Sequence, residues 1–233
     1  MIYDITQELF SCAVFPGDPA PARTVLADMG KGDVINLTAF SMCAHNGTHL
    51  DAPAHFIKDG KTIDQLDPDA YLGDCYVARH EGDVTADDAV DILHRAAAVN
   101  AAERILIAGK ATVTEAAARA FAAAGVKLLG NESQTVGPEN APMAVHLILL
   151  GADVILLEGV VLTAVPEGKY FLSAAPLNLG GSGDRAAHFS VLERLHAFDS
   201  ASAWGAYRIL ECAGVTACLL YNLCRSDESL CGV

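Results

Sequence analysis

Aromatic residues make up only 6% of this 233-residue chain, with a single tryptophan, and 15 basic residues stand against 29 acidic ones. A formal charge of −14 with no run of lysine or arginine offers nothing to offset phosphate repulsion, so nucleic acid and anionic membrane surfaces are excluded as partners. Long apolar runs are also missing. The longest, over 141–165, is broken by His146, Asp153 and Glu158 and is a poor membrane span. The start, Met1-Ile-Tyr-Asp-Ile-Thr-Gln-Glu8, lacks the basic-then-apolar pattern of a secretory signal, and a cytoplasmic location is expected. The seven cysteines are odd in number and include no Cys-x-x-Cys pair, in a chain long enough to do without cross-links, so free thiols are expected. Cys212, Cys218, Cys224 and Cys231 crowd near the end, but their spacing fits no zinc motif. Neither the Gly-x-Ser-x-Gly elbow of serine hydrolases nor a phosphate-cradling Gly-x-x-x-x-Gly-Lys-Ser/Thr loop occurs.

With 52% hydrophobic and 19% charged residues, the chain reads as a soluble globular protein with a full core. Strands are expected over 2–9, 34–42, 75–79, 104–108, 126–129, 154–157, 206–212 and 215–221, a short helical turn over 62–66 and a helix over 186–198. Capping signals at Thr85-Ala-Asp-Asp88 and Thr112-Val-Thr-Glu115 open helices reaching Ala97 and Gly125, and a third helix spans 142–150, closed by Gly151. Alternating strands and helices predict an α/β fold, a mixed or parallel sheet with covering helices. Phe15-Pro-Gly-Asp-Pro19 is a turn-rich loop placed to line a site.

The densest chemistry lies in His45-Asn-Gly-Thr-His49-Leu-Asp51-Ala-Pro53-Ala-His55: three imidazoles and a carboxylate within eleven residues. A zinc-protease helix is ruled out, because that motif needs glutamate where Asn46 stands, and Gly47 and Pro53 disfavour a helix. In an extended chain residues 45, 47, 49 and 51 share one side, but four residues of straight strand cover roughly 13 Å, too far for His45 and His49 to share one ion. The chain must bend, and Gly47 is where it can. His45, His49 and Asp51 then offer nitrogen and oxygen donors suited to zinc, manganese or iron(II), which leaves His55 as a candidate general base. Farther on, Glu158 ends an apolar strand, where an unpaired carboxylate is costly and calls for a metal, an arginine or a proton. His146 stands in an apolar helix, where a histidine is ordinarily a hydrogen-bonded core residue.

The run from His45 to His55 resembles the H-x-G-T-H-x-D-x-P-x-H signature of the metal-dependent cyclase/hydrolase family that includes bacterial kynurenine formamidases and isatin hydrolases. Supporting matches are Met1-Ile-Tyr-Asp-Ile-Thr6, Val14-Phe-Pro-Gly-Asp18, Leu157-Glu-Gly-Val-Val-Leu162 and Pro176-Leu-Asn-Leu-Gly180. The resemblance covers about residues 1–181, read as the catalytic domain; 182–233 is read as an extension packed on it. It implies a cyclase-like swivelling β/β/α architecture and adds His146 and Glu158 to His45, His49 and Asp51 as metal ligands. Two zinc ions bridged by Asp51, or manganese instead, would hold a hydroxide that cleaves an amide, formamide or lactam of a small molecule, N-formylkynurenine among the candidates, with His55 moving the proton. Phe15 stands where the members that act on N-formylkynurenine carry tryptophan and would stack on an aryl substrate. Family members commonly pair, so a homodimer or larger homo-oligomer is expected. The chain departs from the members that act on N-formylkynurenine at Asn131-Glu-Ser-Gln134, where they carry Asp-Thr/Ala-Pro-Ser, which weighs against that substrate specifically, and from the family at Gly181-Ser-Gly-Asp-Arg185, where Gly-x-Asp-Gly-x-Pro-x-Arg is usual. Two other readings compete. A protein that binds metal or a small molecule without turnover would have no use for His55, and a dinucleotide-dependent oxidoreductase, suggested by Gly181-x-Gly-x-x-Ala186, has too little chain after it.

Overall fold

The computed structural model describes residues 2–177 and, beyond them, two short strands. In chain order the strands are β1 (Ile2–Asp4), β2 (Ala22–Ala27), β3 (Leu37–Ser41), β4 (His49–Asp51), β5 (Leu72–Arg79), β6 (Gly82–Val84), β7 (Arg104–Ala108), β8 (Ala111–Val113), β9 (Leu128–Asn131), β10 (Ile155–Glu158), β11 (Gly168–Ala174), β12 (Ala187–Phe189) and β13 (Cys218–Tyr221). The helices are α1 (Pro68–Tyr71), α2 (Ala86–Ala98), α3 (Glu115–Ala123) and α4 (Met143–Leu150). One mixed sheet runs β1-β13-β11-β5-β7-β9-β10-β4-β12. Its centre, β5-β7-β9-β10, is parallel, and the outer pairings are antiparallel.

The parallel centre reads as near-continuous apolar runs because both faces are buried. Successive side chains point to opposite faces, so Tyr76, Ala78, Ile105, Ile107, Leu129 and Leu156 meet α2, α3 and α4 in one core. Cys75, Val77, Leu106, Ala108, Leu128, Ile155 and Leu157 face a second core with Ile63, Val160, Leu162 and Tyr170. Parallel strands laid down one beside the next in a single direction place their helical crossovers on one face, and α2 packs on α3 as α3 packs on α4. The expected mixed α/β sheet with covering helices is therefore what forms.

Local signals hold closely for the helices. Thr85 caps α2, accepting from the Asp88 amide while the Asp88 carboxylate takes the Thr85 N–H. The cap of α3 is Thr114, two residues later than expected, because Thr112 is committed to β8 beside β6. The first strand stops at Asp4, whose carboxylate captures the Thr6 amide and hydroxyl and turns the chain away. A helix expected over 186–198 is corrected in part: Ala187–Phe189 is a strand paired with β4, and the remainder lies outside the described residues. The expected strand over 206–212, Arg185 and the Gly181–Ala186 dinucleotide motif also lie outside them, as do the four tail cysteines' side chains. The expected strand at 215–221 is present over Cys218–Tyr221. Among the described residues no helix is long and apolar enough to cross a membrane.

Candidate metal centre

Three elements bring the site together at the carboxyl ends of the parallel strands, where open α/β sheets bind ligands. Antiparallel pairing of β4 with β10 sets His49 opposite Glu158 and Asp51 opposite Leu156, so period-two alternation puts the His49 and Asp51 side chains on one face with Glu158 while Leu50 enters the core. Helix α4 supplies His146 from the neighbouring crossover. His45 arrives through the loop before β4, and the required bend is at Gly47, with φ 67°; a Cβ there would stand 3.1 Å from Cys12 Cβ. The short 3-10 turn Pro53–His55 returns His55 to the same centre.

Asp51 is the hub. Its Oδ1 lies 3.6 Å from His45 Nε2 and 3.9 Å from His49 Nε2; its Oδ2 lies 3.6 Å from His146 Nε2 and 3.7 Å from His55 Nε2. Glu158 faces His146 Nε2 at 3.2 Å through Oε1 and His49 Nε2 at 3.4 Å through Oε2. Two atoms each bound about 2.0–2.1 Å from a shared tetrahedral ion stand roughly 3.3 Å apart, so most of these separations are those of co-ligands rather than of direct hydrogen bonds. Asp51 Oδ1 and His45 Nε2 are sealed from solvent and have no hydrogen-bond partner, the condition of donors that face a cation. His45, Asp51 and His55, and likewise His49, Asp51 and Glu158, each offer three ligand atoms within 4.8 Å of one another. The donor set therefore fits one or more divalent ions of the nitrogen- and oxygen-loving class.

Backbone carbonyls fix which nitrogens point inward. His49 Nδ1 is 3.0 Å from Gly47 O and His146 Nδ1 is 2.9 Å from Pro142 O; donation there leaves each Nε2 lone pair for the centre. His45 and His55 have no such carbonyl anchor among the described residues and are 25% and 19% exposed where His49 and His146 are 2–3%. Burial pushes His55 below its ordinary pKa, aided by its histidine neighbours and opposed by Asp51. Burial also disfavours the charged forms of His49 and His146, but Glu158 and Asp51 outweigh it, and with only protein groups around them the two are held up at about 9 and about 10. Burial pushes the carboxyls of Asp51 and Glu158 up, yet the surrounding imidazoles bring both below the usual range. Two fully buried carboxylates side by side thus need positive charge, and either protons on histidine or a metal ion supplies it.

Several supporting residues have no signal of their own in the sequence. Gln7 donates to Gly159 O at 2.8 Å and its carbonyl accepts from the Ala13 amide; Thr48 Oγ1 donates to Gly159 O at 2.7 Å and accepts from the Gln7 amide. Together they tie the loop before β4 to the end of β10. Glu158 itself accepts from the Val136 amide at 2.8 Å. Phe56 closes one wall, its ring 4.9 Å from His146 and 4.5 Å from His55. Asp18 stands 3.7 Å from His45 Nδ1, carried there by the Phe15–Asp18 turn with Pro16 second and Gly17, φ 99°, third; its motif marks the turn but not this contact. Phe15 is half-buried in that turn, and no ring contact joins it to the histidines among the described residues.

The chain is thus an α/β protein, a mixed sheet with a candidate histidine–carboxylate metal centre at its strand ends. Residues 3–138 match the cyclase family, described as “Putative cyclase”. The chain is 32% identical over 192 residues to a kynurenine formamidase of Erythrobacter litoralis, covering 76% of this chain and 87% of that one, and 33% identical over 189 residues to one of Delftia acidovorans, covering 76% and 90%. It superimposes with a TM-score of 0.63 on a “predicted metal-dependent hydrolase” from Bacillus stearothermophilus, at 26% identity over 81% of this chain and 96% of that one. The fold of isatin hydrolase A from Labrenzia aggregata is shared at a TM-score of 0.66 and 19% identity, over 80% and 90% of the two chains. This chain belongs to the cyclase family.

Proposed function

We propose that the chain is a metal-dependent hydrolase that cleaves a carbon–nitrogen bond, other than a peptide bond, in a small molecule: an aryl formamide such as N-formylkynurenine, or a lactam. The observation that carries this reading is the convergence of four imidazoles on two buried carboxylates, with Asp51 Oδ1 and His45 Nε2 left without partners. The relatives' name supports the bond type. His45, His49, Asp51, His146 and Glu158 would hold zinc, as one ion or two; manganese suits the same donors. A divalent cation supplies Lewis acidity and lowers the pKa of a water it holds from about 15.7 toward about 7 in the best zinc cases.

His55, on the more exposed side of the centre and without a carbonyl anchor, takes the proton of the attacking water at Nε2 and returns it to the leaving nitrogen. Phe56 keeps water from one side. Phe15 offers a face for an aryl ring. Asn131, where the members that act on N-formylkynurenine carry aspartate, is buried and donates to Ala111 O and Thr135 O, so it serves the fold and leaves substrate choice to other groups. Metal analysis of protein purified without added metal, followed by a screen of formamides, lactams and lactones, tests the assignment. Bound zinc or manganese with formamide or lactam turnover is the expected result, and bound metal with no turnover of any of them would make the protein a binder.

The exposed hairpin of β2 and β3 supports a homodimer. Val25, Leu26, Met29, Val34, Ile35, Leu37 and Phe40 are each about half or more exposed, and Val34 is 92% exposed. Apolar side chains exposed on both faces of a ribbon are the kind of surface that a standard interface, roughly 800 Å² per partner, covers. A two-stranded ribbon is marginal in water without such cover. Light scattering should give a dimer, and the paired change Leu26→Asp with Phe40→Asp a monomer.

A further inference from the structure

His45 has a second face. While its Nε2 turns to Asp51, its Nδ1 turns to Asp18, and the Asp18 carboxylate, the His45 ring and the Cys43 thiol place three ligand atoms within 4.8 Å of one another. Asp18 Oδ2 is sealed from solvent and has no hydrogen-bond partner, the same condition as Asp51 Oδ1 on the other side of the ring. The three residues come from two segments, the Phe15–Asp18 turn and the loop between β3 and β4. The Asp18 amide closes the Phe15–Asp18 turn at 3.0 Å, and Cys43 is pinned through its amide to Asn46 Oδ1 at 2.8 Å and through its carbonyl to the Asn46 amide at 3.1 Å.

We propose that Cys43 Sγ, Asp18 Oδ2 and His45 Nδ1 form an outer site for a soft, thiophilic divalent cation of the zinc or cadmium class. Thiolate sulfur distinguishes it chemically from the all-nitrogen and oxygen inner centre and selects softer metals. Binding forms metal–sulfur, metal–oxygen and metal–nitrogen bonds in exchange for three waters of the aquo ion, and the thiol proton and the Nδ1 proton of His45 leave to solvent. The remaining coordination positions face solvent, as the partial exposure of all three residues allows. One consequence rests on the reading of His45 as an inner ligand: a cation on Nδ1 sets a second divalent charge across one imidazole ring from the inner ion, and their repulsion weakens the inner ion and inhibits turnover.

The test is a cadmium titration of the full chain, wild type, Cys43→Ser and Asp18→Asn, in thiol-free buffer. It follows the thiolate-to-cadmium charge-transfer absorption, the cadmium bound per chain, and alkylation of Cys43 by N-ethylmaleimide mapped by peptide mass. Circular dichroism confirms the fold of each variant. Wild type should bind one more cadmium than Cys43→Ser, with a matching difference in charge-transfer intensity and protection of Cys43. Asp18→Asn should weaken that extra ion by at least the roughly 10- to 100-fold seen when supporting groups are removed from metal sites. Equal cadmium and absorption in wild type and Cys43→Ser, or unprotected Cys43 at saturation, would overturn the site. An unweakened Asp18→Asn would also overturn it, because the thiol would then be binding without the carboxylate. Glu158→Gln separates this proposal from the inner centre: if it keeps its native metal while the Cys43-dependent cadmium persists, the inner assignment fails and the outer site stands.

Discussion

The two ends of the parallel strands both gather charge, but they balance it differently. At the amino end Arg104, the first residue of β7, is 2% exposed and lies 3.0 Å from Asp69 Oδ1 and 3.2 Å from the Asp74 carbonyl; Lys127 joins Asp69 and Glu103 at 2.5 and 3.0 Å. Two cations meet two carboxylates, and those carboxylates remain largely exposed. At the carboxyl end Asp51 and Glu158 are buried among imidazoles, and among the described residues no lysine or arginine lies within ion-pair reach. A closed network stabilises the fold; one that lacks a permanent cation is suited to binding one. Removing a charge from each end should therefore give opposite signatures.

Glu158→Gln should have the largest effect. Loss of one of two buried carboxylates should remove bound metal, measured by elemental analysis, and lower kcat/KM by more than the roughly 100-fold that outer-shell changes cause. His49→Ala should match it. Retention of full metal by Glu158→Gln with loss in His49→Ala would dissolve the half-site built on β10.

His55→Ala should keep the metal and lose roughly 10²- to 10⁴-fold in kcat, with KM little changed, because proton transfer is made in the transition state. Rates over pH 5–9 and metal content on one preparation decide this. If metal is lost, His55 is a ligand, which its 3.7 Å distance to Asp51 permits.

Arg104→Met is the counterpart at the other end. The carbonyls of Asp69 and Asp74 lose their donor, at a cost of roughly 1–3 kcal/mol in denaturant melts, while metal content and kcat stay at wild-type values. Loss of metal in this variant would end the contrast between the two ends.

The smallest effect concerns Glu167, which bonds Tyr76 Oη at 2.7 Å and pairs with Arg95. Burial pushes its carboxyl up, but Tyr76 and Arg95 outweigh that and hold it below its ordinary value. A lowered folded-state pKa gives stability that is present above the unfolded carboxylate pKa, about 4.3, and is lost as pH falls through the folded value. Glu167→Gln should accordingly cost under about 1 kcal/mol at neutral pH and flatten the acid side of the stability curve below about pH 4.3. An unchanged acid limb would show that another carboxylate governs it.

Much of the fold is legible in the sequence because it rests on local rules. The Thr85 box, the apolar runs 104–108 and 154–157 and the glycine at 47 state their structure within a few residues, and the run 45–55 compresses four candidate site residues into one segment. His146 needed the family resemblance, since a lone histidine in apolar sequence carries no spacing signal, while Glu158 stood out as a carboxylate ending an apolar strand and the resemblance chose metal over arginine or a proton as its partner. What tertiary structure alone decided is the registry of β4 on β10 that sets His49 opposite Glu158, and the carbonyls of Gly47 and Pro142 that aim two imidazoles inward. It also decided the turn that brings Asp18 to the back of His45. These are contacts between residues far apart in the chain or set by backbone direction, and a one-dimensional pattern records neither; it records which residues can ligate, while packing determines which ones meet.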